Sequence, residues 1–209
     1  MKRMTEIAHD FLKPVLKKGA VCIDATLGQG SDTRFLLEYP VARVFAFDIQ
    51  QDLIEKAKET IDDPRLILCP ISHEYLDQVN DLNRNRQNVS AILFNFGYDP
   101  AKKEGIMTES ESSLTAVIKA VSMLRLKGRM ALVFYPHKEG KIEKERITEE
   151  LLKAAKEDIL GCEMMEVSRP DHDSPSLLLL EKRHFCLLDR LNDPSQSKQY
   201  HLDHDFSEH

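Results

Sequence analysis

Short apolar runs alternate with stretches of helical periodicity along most of the chain. The runs are rich in Val, Ile and Phe and comprise Ala20–Ala25, Ala42–Phe47, Arg65–Leu68, Val89–Asn95 and Arg129–Tyr135. Between them, apolar residues recur at helical spacing over Asp32–Glu38, Gln50–Ile61, Glu74–Leu82 and Ser110–Leu126. Strands buried on both faces, each followed by a covering helix, are typical of a parallel sheet with right-handed crossovers. The pattern therefore predicts an α/β fold.

Both ends of this alternation add elements. Arg3–Lys18 has helical spacing that is interrupted by Pro14, which we expect to break or kink the helix. After Tyr135 a loop leads into a charged amphipathic helix, and Cys162–Val167 and Ser176–Lys182 are predicted strands. The turn between these two strands is too short for a crossover helix, so they should pair antiparallel. The expected sheet is mostly parallel, with one antiparallel strand.

Composition fits one soluble domain in a chain of 209 residues. The formal net charge of −6 gives no indication of a nucleic-acid partner, although an acidic total can hide a basic face. The four cysteines form no Cys-x-x-Cys pair, so we expect free thiols and a cytoplasmic protein without disulfides or zinc. Nothing resembles a signal peptide or a membrane span. The polar stretch from about Leu191 is predicted to be a poorly ordered tail, whose histidines are expected to be solvated rather than to bind metal.

The segment Val21–Phe35 carries the most informative pattern. An apolar strand ends at Asp24, a turn contains Gly28 and Gly30, and a helix begins near Asp32. Glycines allow the backbone to approach a ligand closely, and the helix start presents free N–H groups. A nicotinamide site requires Gly-x-Gly-x-x-Gly, but its third position is Thr33 and it leaves Asp24 unexplained. Asp-x-x-x-Gly-x-Gly, the turn that holds S-adenosylmethionine, accounts for more of these residues.

Polar residues also follow the next strands. Asp48 suits two ribose hydroxyls, or it caps the following helix. Ser72 and His73 lie where an adenine edge would be recognised, although a lone histidine is as often structural. The Asn95 side chain and the Phe96 carbonyl are suited to accept the N–H bonds of an amine substrate and aim its lone pair at a methyl group; the alternative is a strand cap and a turn.

The segments DATLGQGSDTRFL, VFAFDIQ, SHEYL, FNFGY and HKEGKIEK together resemble class I S-adenosylmethionine-dependent methyltransferases. More narrowly, they resemble the small bacterial family long labelled "putative rRNA methylase", whose members are understood to methylate the aminomethyl group of wobble 5-aminomethyl-2-thiouridine in tRNA. The resemblance implies a Rossmann-like, three-layer fold with a seven-stranded sheet. It implies a methyltransferase domain over residues 1–185, and the polar composition of the remainder predicts a tail over 186–209. It also implies a homodimer that acts on tRNA or another RNA.

The family motifs also assign roles to individual residues. The resemblance implies that the following bind S-adenosylmethionine: Asp24, Thr26, Gly28, Gln29, Gly30, Asp32, Thr33, Asp48, Ile49, Gln50, Ser72, His73 and Asn95. Asn95 and Tyr98 are expected at the reacting centre. Residues expected beside the substrate are Gly97, Tyr98, His137, Glu139 and Lys141.

Departures from the family pattern lie on the substrate side, after Tyr98, around Pro136 and at Arg169–Pro175. They leave open an rRNA base or a small amine as the acceptor, or a non-catalytic protein that only binds S-adenosylmethionine. Basic residues that suit RNA are Lys102, Lys103, Lys138, Lys141, Lys144 and Arg146. The alternative is a solvated helix face, because Glu139, Glu143 and Glu145 interleave with them.

Overall fold

A computed structural model describes residues 1–96, 110–170, 174–186 and 188–189. Its sheet contains the strands β1 (Val21–Asp24), β2 (Arg43–Phe47), β3 (Leu66–Cys69), β4 (Val89–Phe96), β5 (Leu124–Phe134), β6 (Cys162–Val167) and β7 (Ser176–Lys182). The α-helices of the same ranges are α1 (Met4–Leu12), α2 (Ser31–Leu37), α3 (Gln51–Thr60), α4 (Asn80–Asn83), α5 (Ser110–Met123) and α6 (Lys138–Lys156). Short 3₁₀ segments cover Lys13–Val15 and His73–Gln78.

The sheet order is β3-β2-β1-β4-β5-β7-β6. β7 pairs antiparallel with both β5 and β6, and the remaining pairs are parallel. The chain therefore moves outward from β1 to β3 and then returns to place β4 on the other side of β1. This reversal between β1 and β4 is the switch point at which open α/β sheets bind ligands, beyond the carboxyl ends of the strands.

Side chains alternate between two cores on opposite faces of the sheet. In β4, Ile92, Phe94 and Phe96 enter the core beneath the His73–Gln78 segment, α4, α5 and α6, whereas Ala91 and Leu93 enter the core beneath α1 and α2. α3 packs on the second face through Ile54 and Ala57 against Ala46. The three layers and the single reversed strand confirm the predicted fold class.

Element boundaries differ from the prediction in two places. The expected helix over Glu74–Leu82 is wrong, because Val79 is extended and separates the 3₁₀ segment from the one-turn α4. The expected helix to Leu126 ends instead at Met123, and β5 begins at Leu124 rather than Arg129. A bulge causes the second difference. Lys127 has a φ of 60°, and β5 uses the interval from Leu124 to Arg129 to span Val89 to Ala91 of β4.

The first helix ends as its proline predicts. α1 stops at Leu12, and Pro14 lies in the 3₁₀ turn that follows. All four cysteines are free thiols, and Cys22 and Cys69 are buried. No helix in the described ranges is both long enough and apolar enough to span a bilayer. The predicted division at residue 185 stays a prediction, but Leu188 and Asp189 are buried against the rest of the domain. The polar stretch from Leu191 lies outside the described residues.

Candidate functional site

Three polar side chains meet at the carboxyl edge of the sheet. Asp24 ends β1, Asp48 follows β2, and Asn95 is the last residue but one of β4. Backbone hydrogen bonds join these strand ends, because Ala25 N donates to Leu93 O (2.9 Å) and Leu27 N donates to Phe47 O (2.8 Å). The switch point of the fold thus brings together residues that are 71 positions apart in the sequence.

The turn between β1 and α2 is built by its glycines. Gly30 is the N-cap of α2 with a φ of 76°, and a Cβ there would lie 3.0 Å from the Arg34 guanidinium and the Ile61 methyl group. Gly28 has a φ of 49°, a Cβ position in ordinary contact with Thr26 O (3.9 Å), and an N–H that donates to Asp48 Oδ2 (3.0 Å). Gln29 is exposed, and its side-chain oxygen accepts from Lys56 Nζ (2.5 Å). The two glycines therefore give the turn backbone angles that other residues rarely adopt, and Gln29 lies exposed between them.

Asp24 is fully buried below this turn. Its carboxylate accepts from the Thr33 hydroxyl (2.6 Å) and from Thr26 N (3.2 Å). Burial, and after it the nearby Asp32 charge, raises the pKa of Asp24 to about 7. A cation bound beside this carboxyl would favour its charged form and lower that pKa again.

Asp32 connects the turn to β4. Its Oδ2 accepts from Asn95 Nδ2, and its Oδ1 lies 2.6 Å from His9 Nε2 on α1. Asn95 N donates to the Thr26 hydroxyl (2.7 Å). The Asn95 Oδ1 atom is buried and has no hydrogen-bond partner within the described ranges. Burying an acceptor without a partner is unfavourable, so this oxygen is available to a donor from a bound molecule.

Asp48 holds two backbone N–H groups and is itself partly buried, which raises its pKa. Oδ2 accepts from Gly28 N and Oδ1 accepts from Gln50 N (2.9 Å). The alternative that Asp48 only caps α3 fails, because the N-cap is Gln50 and Asp48 also fixes the glycine turn. Ile49, next to it, is 49% exposed although it is a large apolar residue. Two carboxylate oxygens still have lone pairs to offer hydroxyl groups here.

Ser72 and His73 follow β3 near the same edge. The Ser72 hydroxyl accepts from Glu74 N (3.4 Å) and caps the 3₁₀ segment. The buried His73 ring places Nδ1 3.1 Å from Ala25 O, beyond the end of β1, and packs edge-on against Phe94 and Phe96. Burial lowers the pKa of His73, so the ring is neutral, Nδ1 donates, and Nε2 is an acceptor with no partner among the described residues.

Residues predicted on the substrate side are described only in part. His137 is the N-cap of α6, and its Nδ1 accepts from Gly140 N (2.9 Å). A Cβ at position 140 would lie 2.3 Å from Tyr135 O, so the helix start requires this glycine. Lys141 is exposed on the first turn. Gly97, Tyr98 and the Glu139 side chain lie outside the described residues.

The basic positions suggested for RNA contain two ion pairs. Lys144 Nζ lies 2.7 Å from Glu166, and Arg146 lies 3.2 Å from Glu111. Glu143 does not belong to a solvated face, because it is 4% exposed and accepts a hydrogen bond from Ser113 of α5. Burial raises its pKa to about 7. The side chains of Lys102, Lys103 and Lys138 lie outside the described residues.

Two site residues were missed at the sequence level. His9 reaches Asp32 from α1. Tyr135 directly follows β5, and burial, and after it the nearby Asp32 charge, raises the pKa of its hydroxyl. The local sequence indicated His9 only as a polar ring next to the buried residues of α1, which are Met4, Ala8 and Leu12. Side chains in the described ranges form no cluster that would hold a metal ion.

The family model described as "Putative rRNA methylase" matches residues 44–181 of this chain. The chloroplastic tRNA (mnm⁵s²U34)-methyltransferase of Arabidopsis thaliana is 29% identical over 197 residues, which are 87% of this chain and 70% of that protein.

Crystal structures of similar proteins share the fold. An rRNA methylase, described as putative, from Clostridium thermocellum is 30% identical with a TM-score of 0.76, over 87% of this chain and 98% of that one. A methyltransferase, also described as putative, from Streptococcus mutans in complex with SAH is 28% identical with a TM-score of 0.74, over 87% and 99% of the two chains.

Proposed function

Given that this chain belongs to the "Putative rRNA methylase" family, we propose that it methylates an amine on a tRNA wobble uridine with S-adenosylmethionine as donor. The membership confirms the resemblance inferred from the sequence motifs, and with it the assignment as an S-adenosylmethionine-dependent methyltransferase. The name of the Arabidopsis relative supports wobble uridine as the acceptor. The family description supports rRNA as the second candidate.

The observation that carries the proposal is the set of unpaired acceptors around the glycine turn. Asn95 Oδ1 and His73 Nε2 are buried without a partner in the described ranges, and Asp24 is a buried carboxyl with a raised pKa. S-adenosylmethionine carries an ammonium group and an adenine amino group, and the acceptor amine carries further N–H donors. The residues present therefore fit this cofactor and an amine substrate.

Each proposed cofactor residue has a distinct task. Asp24 accepts from the ammonium group, and Thr33 and Thr26 hold the Asp24 carboxylate in place. Asp48 accepts from the ribose hydroxyls, with Ile49 and Gln50 beside it. Gly28 and Gly30 keep the turn open, Gln29 and Asp32 flank it, and Ser72 and His73 face the adenine.

At the reacting end the protein's main task is to position the amine. S-adenosylmethionine supplies a methyl group already activated by its sulfonium centre. Asn95 Oδ1 accepts an N–H bond of the neutral amine, which fixes the direction of the nitrogen lone pair. Tyr98, Gly97, His137, Glu139 and Lys141 are proposed to line the substrate side. The homodimer is proposed on the family resemblance alone, and the cytoplasmic location on the free cysteines.

We expect Asn95→Ala to bind S-adenosylmethionine but to lose at least about tenfold in kcat, because a misaligned amine reacts slowly. Methyl incorporation is measured into tRNA that carries 5-aminomethyl-2-thiouridine, with tRNA lacking that group and rRNA as comparisons. Asn80→Ala, at an exposed position, is the matched control. Equal labelling of both tRNAs would refute the acceptor, preferential labelling of rRNA would favour the second candidate, and a fully active Asn95→Ala would refute the role of Asn95.

A further inference from the structure

The N-terminal helix α1 brings His9 into the edge of the site. Met4, Ala8 and Leu12 bury one stripe of α1 in the core. His9, beside that stripe, stacks flat on Phe35 of α2, with ring centroids 3.7 Å apart and planes 1° from parallel. The stack leaves the edge of the imidazole directed at Asp32, and His9 Nε2 lies 2.6 Å from Asp32 Oδ1. The direction of this contact is fixed by chemistry, since an ionised carboxylate only accepts and Nε2 must donate.

Asp32 passes this constraint on to Asn95. Its other oxygen, Oδ2, accepts from Asn95 Nδ2. The two ends of a carboxamide have nearly the same shape, so an asparagine keeps one orientation only where its partners distinguish nitrogen from oxygen. Asp32 provides that distinction, because it can pair with Nδ2 and not with Oδ1. Oδ1 is therefore the end of Asn95 that stays free of protein partners in the described ranges.

We propose that His9 is a positioning residue for methyl transfer, which acts by holding Asp32 so that the Asn95 carboxamide keeps its oxygen toward the acceptor amine. The inference rests on the proposed function for its catalytic consequence and on the chain of contacts from His9 to Asn95 for its geometry. α1 is thus part of the reacting centre's support as well as of the core. His9 itself touches neither the cofactor nor the substrate in this assignment.

Two substitutions separate the hydrogen bond of His9 from its packing. His9→Phe keeps a ring for the stack on Phe35 but has no nitrogen for Asp32. His9→Gln loses the ring but offers a side-chain N–H in place of Nε2. We expect His9→Phe to lower kcat about 10- to 100-fold with little change in the KM for S-adenosylmethionine, and His9→Gln to recover most of that loss. Asp10→Asn, at a half-exposed position of the same helix whose carboxylate pairs with Lys2 and Lys13, is the control and should keep wild-type kcat.

A second measurement is independent of any substrate. In the wild-type protein the Asn95 side-chain NH₂ protons should give protected, separated resonances in a ¹⁵N–¹H spectrum, because Asp32 accepts from them. His9→Phe should reduce that protection, and His9→Gln and Asp10→Asn should preserve it.

The inference is overturned if His9→Phe leaves kcat and the Asn95 resonances unchanged, if the loss falls on cofactor affinity, or if His9→Gln fails to restore either measurement. Failure of the proposed function looks different. In that case the wild-type enzyme would methylate neither tRNA nor rRNA, while the response of the Asn95 resonances to His9→Phe would still support the positioning role.

Discussion

Asp24 shows how one buried side chain can serve function at the expense of stability. Burial and the Asp32 charge raise its pKa to about 7, compared with 3.8 for an ordinary aspartate. Between those values the folded protein binds a proton that the unfolded chain does not, so the stability contributed by this group falls as pH rises. The residue is kept, in our proposal, because its carboxylate is needed once a cation arrives.

This gives a prediction for cofactor affinity. In the proposed function the ammonium group binds the ionised form of Asp24, whereas the free protein holds the protonated form below pH 7. Calorimetry should therefore show that the Kd for S-adenosylmethionine rises about tenfold for each pH unit by which the pH falls well below the pKa. The Kd should become independent of pH above about pH 7.5. Proton release should appear as a buffer-dependent enthalpy at pH 6.5. A Kd that is constant from pH 5.5 to 7.5 would contradict the role of Asp24.

For single residues, the sequence predicted which strand-end side chains would lie together, because Asp24, Asp48 and Asn95 each lie at the end of a recognisable apolar run. It did not predict how they bond to one another. The contacts of Asp32 with His9 and of Thr26 with Asn95 join distant elements. Such hydrogen bonds depend on how distant elements pack together, and the periodicity of the sequence does not indicate that packing.

Glu143 of α6 is a buried acid that contacts α5, although the sequence around it is strongly charged. Glu143 lies among lysines and glutamates, yet it is 4% exposed and bonded to Ser113. Its neighbours on the solvated side, such as Glu145, are exposed. The amphipathic α6 therefore turns one acid inward on the same side as its buried Ile147 and Leu151, and burial raises the pKa of Glu143 to about 7.

We expect Glu143→Gln to stabilise the protein at pH 8 by about 1–3 kcal/mol, because it removes a buried charge and keeps an oxygen for Ser113. The folded-state pKa lies above the ordinary 4.5, so the wild-type protein loses stability as pH rises from 4.5 to 7. Urea unfolding should therefore show a gain at pH 8 and little gain at pH 5. Glu145→Gln is the exposed control, and a gain of equal size at both pH values would contradict the account.

Element boundaries were predictable where side-chain period and breakers agree, as at Pro14 after α1. They were not predictable at β5. Leu124 and Leu126 suit a helix or a strand equally, and the bulge depends on Gly128, where a Cβ would lie 2.9 Å from Val89 O of the neighbouring strand. Contact with β4 decides where β5 begins, and the local residue propensities do not indicate that contact.

Across the whole molecule, the described C-terminal residues are tied into the core by one buried ion pair. Lys182 of β7 has a fully buried side chain whose Nζ lies 2.8 Å from both Asp189 Oδ1 and Leu160 O. Asp189 Oδ2 also accepts from Cys186 N (2.7 Å). The ion pair joins β7 to Asp189, and the hydrogen bond to Leu160 O joins it to the segment after α6. Residues beyond 185 therefore contribute to the fold.

Asp189→Ala should destabilise the protein by about 3–5 kcal/mol, because it leaves the Lys182 ammonium buried without its counter-ion. Adding Lys182→Met to that variant should restore much of the loss, since the unpaired charge is then removed. Urea unfolding measures both. Asp158→Asn, which removes the charge of an exposed pair with His184 and keeps a residue suited to the φ of 53° at this position, is the control. An Asp189→Ala variant within about 1 kcal/mol of the wild type would show that the pair is not needed.

The position of β7 also orders events during synthesis. β7 is the last of the seven strands to leave the ribosome, yet it lies between β5 and β6 and supplies every described strand pairing of β6. Until Ser176–Lys182 has been made, β5 has an open hydrogen-bonding edge and β6 has no place in the sheet. In the nascent methyltransferase the sheet thus stays incomplete, with one edge of β5 unpaired, until β7 has been made. Asp189, seven residues later, then neutralises Lys182, which β7 buries.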